Sequence, residues 1–400
     1  MATSRAARVG GAGLLALVAT YGIGRQAFGL FVPAFRDEFG AGLDAIGGIA
    51  SAAQLGYLVA TLATGVLTAR TGPRRPIVLG CVLLAVGAAI VATATSFTTL
   101  AIGVVLAGTS AGGTWAPFSD AVDAQVRPSK EQRALALVNA GAPIGLVVAS
   151  VLVLVTGASW RAAWWAFAAI GVVAAIVNAR ALQRSDGRSD GWPAEGLWAF
   201  VGPRSARLFA ATFATALTSG AYFAYAPDTV RAAGLAAWSG PAMWAVLGLA
   251  GGLTGVRADR LVERAGTRRT LRATLTLLVG AHLLLLAAGS LPVALTSAAL
   301  FGVGFTIPFA VIVMWSQDVF ADRPTDGFTA TIVCLALGFA AGPAAFGLVA
   351  THADRPTAVL VTGVPALLAL LAPGPGLSGD GLSGDGLSLR TRTDRNGPRR

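Results

Sequence analysis

Apolar residues along the chain gather into long runs of roughly 20, the length a helix needs to cross the hydrocarbon of a bilayer. Twelve such runs lie near residues 10–33, 44–69, 76–94, 97–119, 134–156, 160–180, 207–228, 238–257, 271–290, 293–316, 328–350 and 356–373. Each predicts a transmembrane helix. Glycine is dense in the second, fourth and eleventh runs, which predicts close helix packing because small residues let backbones approach. The start, "MATSRAARVGGAGLLALVAT", has the basic head and apolar body of a signal peptide. It reads instead as a helix, because the run continues through Arg25 to Pro33 with no convincing cleavage site.

Two polar stretches interrupt this pattern. Residues 181–206, "ALQRSDGRSDGWPAEGLWAFVGPRSA", predict a cytoplasmic connection with a short interfacial helix that places Trp192 and Trp198 at headgroup level. The end of the chain repeats GLSGD and has almost no large apolar residues, so residues 374–400 predict a disordered cytoplasmic tail. The resulting division is an N-terminal six-helix bundle at 1–182, a linker at 183–206 and a C-terminal six-helix bundle at 207–373.

Composition agrees with a bilayer as solvent. Of 400 residues 55% are hydrophobic and 12% charged, against about 25% charged in a soluble chain. The net charge of +11 does not indicate nucleic acid, because the arginines sit in short clusters between apolar runs and not on one basic face. With the N-terminus in the cytoplasm, 25 of the 30 basic residues fall on cytoplasmic segments; Arg36, Arg161, Arg231 and Arg355 fall outside and Arg25 is embedded. The positive-inside bias therefore predicts both termini in the cytoplasm of a multi-pass protein of the inner (plasma) membrane.

No catalytic constellation is visible. Cys81 and Cys334 both lie inside apolar runs, which argues against a disulfide framework and a thiolate metal site. His282 and His352 are far apart, with no HExxH or paired-carboxylate spacing around them. Neither a metal nor a cofactor is expected, and the chain is not expected to be an enzyme.

The two halves echo each other at an offset of about 190 to 200 residues. Pro33 is followed seven residues later by Gly40, and Pro227 seven residues later by Gly234; "GGTWAPF" aligns Pro117 and Phe118 with Pro308 and Phe309 of "GVGFTIPF". With six runs on each side of a polar linker, this predicts an all-α membrane protein of two parallel six-helix repeats. Between the second and third runs stands "GVLTARTGPRRP", where Gly65, Leu67, Arg70, Gly72 and Arg74 match, in place, the loop signature of the major facilitator superfamily. The corresponding loop of the second half, "GVRADRLVERAGTRRT", keeps Gly255, Asp259 and Arg260 and, after a four-residue insertion, Gly266, Arg268 and Arg269. The chain resembles that family over about residues 8–373.

Departures from the family pattern bear on gating. Its acidic loop position is Ala69 here, so the contact that latches the cytoplasmic side is missing or is supplied by another carboxylate. Asp120 and Asp123 are candidates to pair with Arg70 and Arg74; equally, they are solvated helix-end charges balanced by Arg127 and Arg133. Val104 stands where many proton-coupled drug exporters resembling this chain carry an arginine, and Ala142 interrupts the antiporter-like "NAGAPIGL".

Arg25 is the strongest chemical signal. A guanidinium in hydrocarbon needs a partner or a water-filled cavity, and the resemblance places the first and seventh helices around a central cavity. Helical spacing puts Tyr21, Arg25, Phe28 and Gly29 on one face. Two roles are open: binding an anionic substrate, which the planar fork suits, or a structural bond to helix carbonyls or to Asp228. No Asp or Glu lies in the middle of any run. Neutral candidates to share the cavity are Gln54, Trp115, Asn139, Tyr222, Tyr225 and Trp244. Proton coupling would run through Asp228, His282 or the substrate's own carboxyl group, although His282 sits on a helix that the resemblance implies is peripheral.

The resemblance implies a secondary transporter in which residues 8–180 rock against 207–373 around a midplane site. Its expected partners are membrane lipids, protons and a small organic substrate, an anion such as a monocarboxylate being preferred, with the protein acting as a monomer. Two alternatives stand beside it: an efflux pump for drug-like or secondary-metabolite molecules, and a membrane receptor or scaffold that kept the fold without transport.

Overall fold

A computed structural model describes residues 2–157, 159–184 and 202–371. The described residues are helical almost throughout. The first half carries α1 (Ala2–Leu17), a π-helical stretch (Val18–Arg25), a 3-10 turn (Ala27–Phe31) and α2 (Val32–Phe39), which follow one another closely; Arg5–Arg25 is the part long and apolar enough to cross a membrane. Then follow α3 (Leu43–Thr71), α4 (Arg74–Ala92), α5 (Phe97–Thr109), α6 (Trp115–Gln125), α7 (Pro128–Asn139), α8 (Gly141–Thr156) and α9 (Trp160–Ala181). The second half has α10 (Pro203–Ala232), α11 (Ser239–Gly255), α12 (Ala258–Ala265), α13 (Thr267–Leu286), α14 (Leu291–Val319), α15 (Pro324–His352) and α16 (Arg355–Leu371).

Among the described residues, each of the twelve apolar runs of the sequence is mostly helical. Among the described residues nine helical stretches are long and apolar enough to cross a membrane. The remaining runs lie in α10, whose ends carry arginines and Asp228, and in the shorter α11 and α16. Spans four and five are each two helices joined end to end, α5 to α6 through a 3-10 turn at Ser110–Gly113 and α7 to α8 at Ala140. The four-residue insertion of the second half becomes the short helix α12. Trp192, Trp198 and the tail lie outside the described residues.

Large apolar side chains such as Val59, Val155, Leu253 and Leu368 are between 61 and 78% exposed. That outer surface suits lipid, where an apolar exterior carries no cost. Buried hydroxyls meanwhile turn back onto their own helices: Thr20 donates to the Ala16 carbonyl, Thr215 to Ala211 and Thr362 to Ala358. In a medium without water this satisfies donors that would otherwise be costly.

The halves meet mainly along α3 against α15 and α8 against α11. Ser51 Oγ donates to the Ala340 carbonyl at 2.6 Å, and Tyr225 Oη to the Leu43 carbonyl at 2.5 Å. Gly29 is forced by the approach of span one to α10, because a Cβ there would fall on the Phe223 carbonyl oxygen. For the same reason Gly47 faces the Pro343 carbonyl directly. These contacts lie toward the end of the bundle that carries Asp228; the loops at Gly72 and Gly266, both at positive φ, mark the opposite end.

Candidate functional site

Arg25 is the last residue of the π-helical stretch, where the regular ladder of span one gives way to a 3-10 turn. Such wide turns recur at functional sites because they re-aim side chains. Arg25 Nε donates to Gln54 Oε1 at 3.1 Å. Its guanidinium carbon lies 4.0 Å from the Tyr57 ring centre, 4.8 Å from that of Phe339 and 5.7 Å from that of Tyr21. Contacts of this kind contribute from about 0.5 kcal/mol in water to about 2 kcal/mol where water is excluded. Tyr21 and Tyr57 share a hydroxyl hydrogen bond of 3.1 Å. Thus Tyr21, Gln54 and Tyr57 of the first half and Phe339 of the second hold one cation.

One atom is not accommodated. Arg25 Nη2 is buried and has no hydrogen-bond partner. Arg25 also lines a cavity of about 20 Å³, bounded among others by Gln54, Ala53, Phe28, Gly220, Phe223 and Pro343. That volume holds about one water. Among the lining residues there is no Asp or Glu, so the cavity is electropositive. Trp244 of α11 bonds to the backbone next to Arg25: its Nε1 donates to the Gln26 carbonyl at 3.2 Å, across the two halves, and its indole is fully buried.

The other sequence candidates lie elsewhere. Trp115 Nε1 donates to Asn139 Oδ1 at 3.0 Å, so these two pair with each other, apart from Arg25. Tyr222 is packed inside the second half, stacked on Phe301 with its hydroxyl on Ser297 Oγ at 2.8 Å. His282 adjoins that cluster, with Nδ1 3.0 Å from the Leu278 carbonyl and its ring against Tyr222. Tyr225 stacks on Phe346 at the Asp228 end.

Asp228 does not serve Arg25. It is only 4% exposed and lies between Arg36 Nη1 at 3.0 Å and Arg355 Nη2 at 3.1 Å. Arg36 belongs to the first half, so this carboxylate ties the two halves together. Sequence inspection had no signal for either partner, since Arg36 and Asp228 are 192 residues apart.

At the opposite end Gly65 and Arg70 are exposed, while Gly72 is buried in the left-handed turn that ends α3. Arg74 Nε donates to the Ala179 carbonyl at 3.0 Å, capping the end of α9. Asp120 and Asp123, the sequence candidates to pair with Arg70 and Arg74, stand exposed on α6. In the second loop Gly255 and Arg260 are exposed, and the side chain of Asp259 lies outside the described residues. Among the described residues no three His, Cys, Asp or Glu side chains gather as metal ligands would.

The sequence profile of the Major Facilitator Superfamily matches residues 14–343. A chloramphenicol resistance protein of Streptomyces lividans is 32% identical over 348 residues, which cover 82% of this chain and 86% of that protein. Among solved structures, a mutant form of the nucleoside transporter NupG superposes with a TM-score of 0.75 at 11% identity, over 92% of this chain and 98% of the other. A bacterial homologue of the human lysosomal transporter Spinster, inward-facing and unoccupied, gives a TM-score of 0.70 at 13% identity, over 92% and 95%. Profile, relative and fold converge: the chain belongs to the major facilitator superfamily, a family of membrane transporters and not of enzymes.

Proposed function

We propose that the chain exports small organic molecules across the inner (plasma) membrane by alternating access, and that Arg25 grips the cargo. One observation carries this: Nη2 of Arg25 is buried without a partner while Nε is fixed by Gln54. An unmet buried donor of this kind costs about 1–3 kcal/mol. A cargo oxygen against the guanidinium edge removes that cost. Because the adjoining cavity holds about one water, loading requires the halves to part, which is the rocking motion of the fold.

Export is favoured by the relative's name, since a membrane transporter confers resistance by removing the drug. Chloramphenicol carries a nitro group and an amide carbonyl, both acceptors for a guanidinium edge. The arginine bias favours both termini in the cytoplasm. A second cargo class, organic anions such as a monocarboxylate, is favoured by the lack of Asp and Glu around the cavity.

Accumulation of labelled chloramphenicol in cells provides the test. Cells expressing the wild-type chain should hold less drug than cells expressing Arg25→Ala at the same membrane level. Equal accumulation in the two removes the export reading for this drug. The same comparison with a labelled aromatic monocarboxylate separates the two cargo classes.

A further inference from the structure

We propose that α12 and the start of α13 form a binding surface for anionic phospholipid headgroups at the Gly72 end of the protein. The two repeats differ most here. In the first half the loop passes straight from α3 into α4, and Arg74 is turned inward onto the Ala179 carbonyl. In the second half the insertion builds a helix that lays a cluster of arginines on the surface. Arg257, Arg260, Arg264, Arg268, Arg269 and Arg272 are all exposed, within 16 residues of chain counted on the sequence.

Their arrangement is one-sided. Ala258 and Val262 bury against Ile307 and Val311 of α14, which fixes how α12 rotates. At about 100° per residue, Arg260 then falls opposite that buried stripe, and Arg257, Leu261 and Arg264 on one flank of it. Glu263 falls on the other. Arg268 and Arg272, four residues apart, share a face of α13.

The basic flank adjoins apolar side chains that the described residues leave exposed. Leu253 is 62% exposed, Val256 84% and Leu261 43%. In a bilayer these three belong at the edge of the acyl region, which sets the neighbouring guanidiniums at headgroup depth. Planar guanidiniums bind phosphate oxygens in bidentate pairs, and clustered basic residues beside a span attract anionic lipid. A soluble acidic partner would leave the apolar trio without a role.

The full-length protein, purified in detergent after equilibration with phosphatidylglycerol or with phosphatidylcholine, is examined by native mass spectrometry for retained lipid. Wild-type protein should keep more phosphatidylglycerol than phosphatidylcholine. In the triple variant Arg264→Gln, Arg268→Gln, Arg272→Gln, retained phosphatidylglycerol should fall at least roughly twofold. The charge-matched variant Arg127→Gln, Arg133→Gln, Arg184→Gln, altered at exposed positions of the same end, should keep it. Equal retention in wild type and the triple variant overturns the proposal, and so does equal loss from the charge-matched control. On wild type alone, raising ionic strength from about 0.1 to 1 M shortens screening to about 3 Å; failure to release phosphatidylglycerol under that change also overturns it.

Discussion

Arg36 of the first half and Asp228 of the second are joined at 3.0 Å at one end of the interface. The second oxygen of Asp228 is held by Arg355, so the latch can be opened at one residue. In Asp228→Asn the closed arrangement should lose about 2 kcal/mol, roughly thirtyfold in population. Spin labels at the exposed positions Thr95 and Ala236 of the same end should then show a longer distance; an unchanged distribution would mean that the α3–α15 contacts suffice without the ion pair.

Closure also rests on a glycine. A Cβ at Gly29 meets the Phe223 carbonyl, backbone against backbone, where no side chain can yield. Gly29→Ala should destabilise the folded protein by about 1–3 kcal/mol, read as a lower thermal unfolding temperature. Gly11→Ala, with nothing within 4 Å of the added carbon, should be tolerated.

A second ion pair at the Asp228 end gives a pH signature. Arg161 donates to both oxygens of Glu38 and Trp160 Nε1 to one of them. These hydrogen bonds, those of Arg161 foremost, hold the Glu38 carboxyl below its ordinary value of 4.5. A depressed folded value means a contribution that is present above the unfolded value and is lost as pH falls through the folded one. The gap in unfolding temperature between wild type and Glu38→Gln should therefore be open at pH 7 and close as pH falls below 4.5. A gap that widens in acid would reverse the sign of the account.

Much of the fold was written in the hydrophobic runs, because in lipid each run must satisfy its own backbone and can do so only as helix. Helix boundaries were less legible: α2 continues helix to Phe39, beyond Pro33, and α7 begins the fifth span at Pro128, where Lys130, Glu131 and Arg133 mask the helix in a hydropathy count. The adjacency of Tyr21 and Arg25 follows from helical spacing. Tyr57 stands three residues after Gln54 on the same helix, so it too was within reach of that rule. Phe339, Trp244 and the Arg36–Asp228–Arg355 group were not, since they depend on the register between helices far apart in sequence.

Orientation is tested by labelling. In a Cys81→Ser, Cys334→Ser background, Arg75→Cys should react only from the cytoplasm and Thr95→Cys only from outside; both positions are exposed and avoid the strained turn at Gly72. Opposite labelling would invert the topology.

The central claim is that the edge of Arg25 binds cargo. Equilibrium binding of labelled chloramphenicol to purified protein in lipid nanodiscs measures this without reference to direction or coupling. Removing a charged hydrogen bond costs about 1.5–3 kcal/mol, so Arg25→Ala should bind roughly 10- to 100-fold more weakly, and Arg25→Lys should recover only part because the planar fork is lost. Undiminished binding by a folded Arg25→Ala protein would contradict the account.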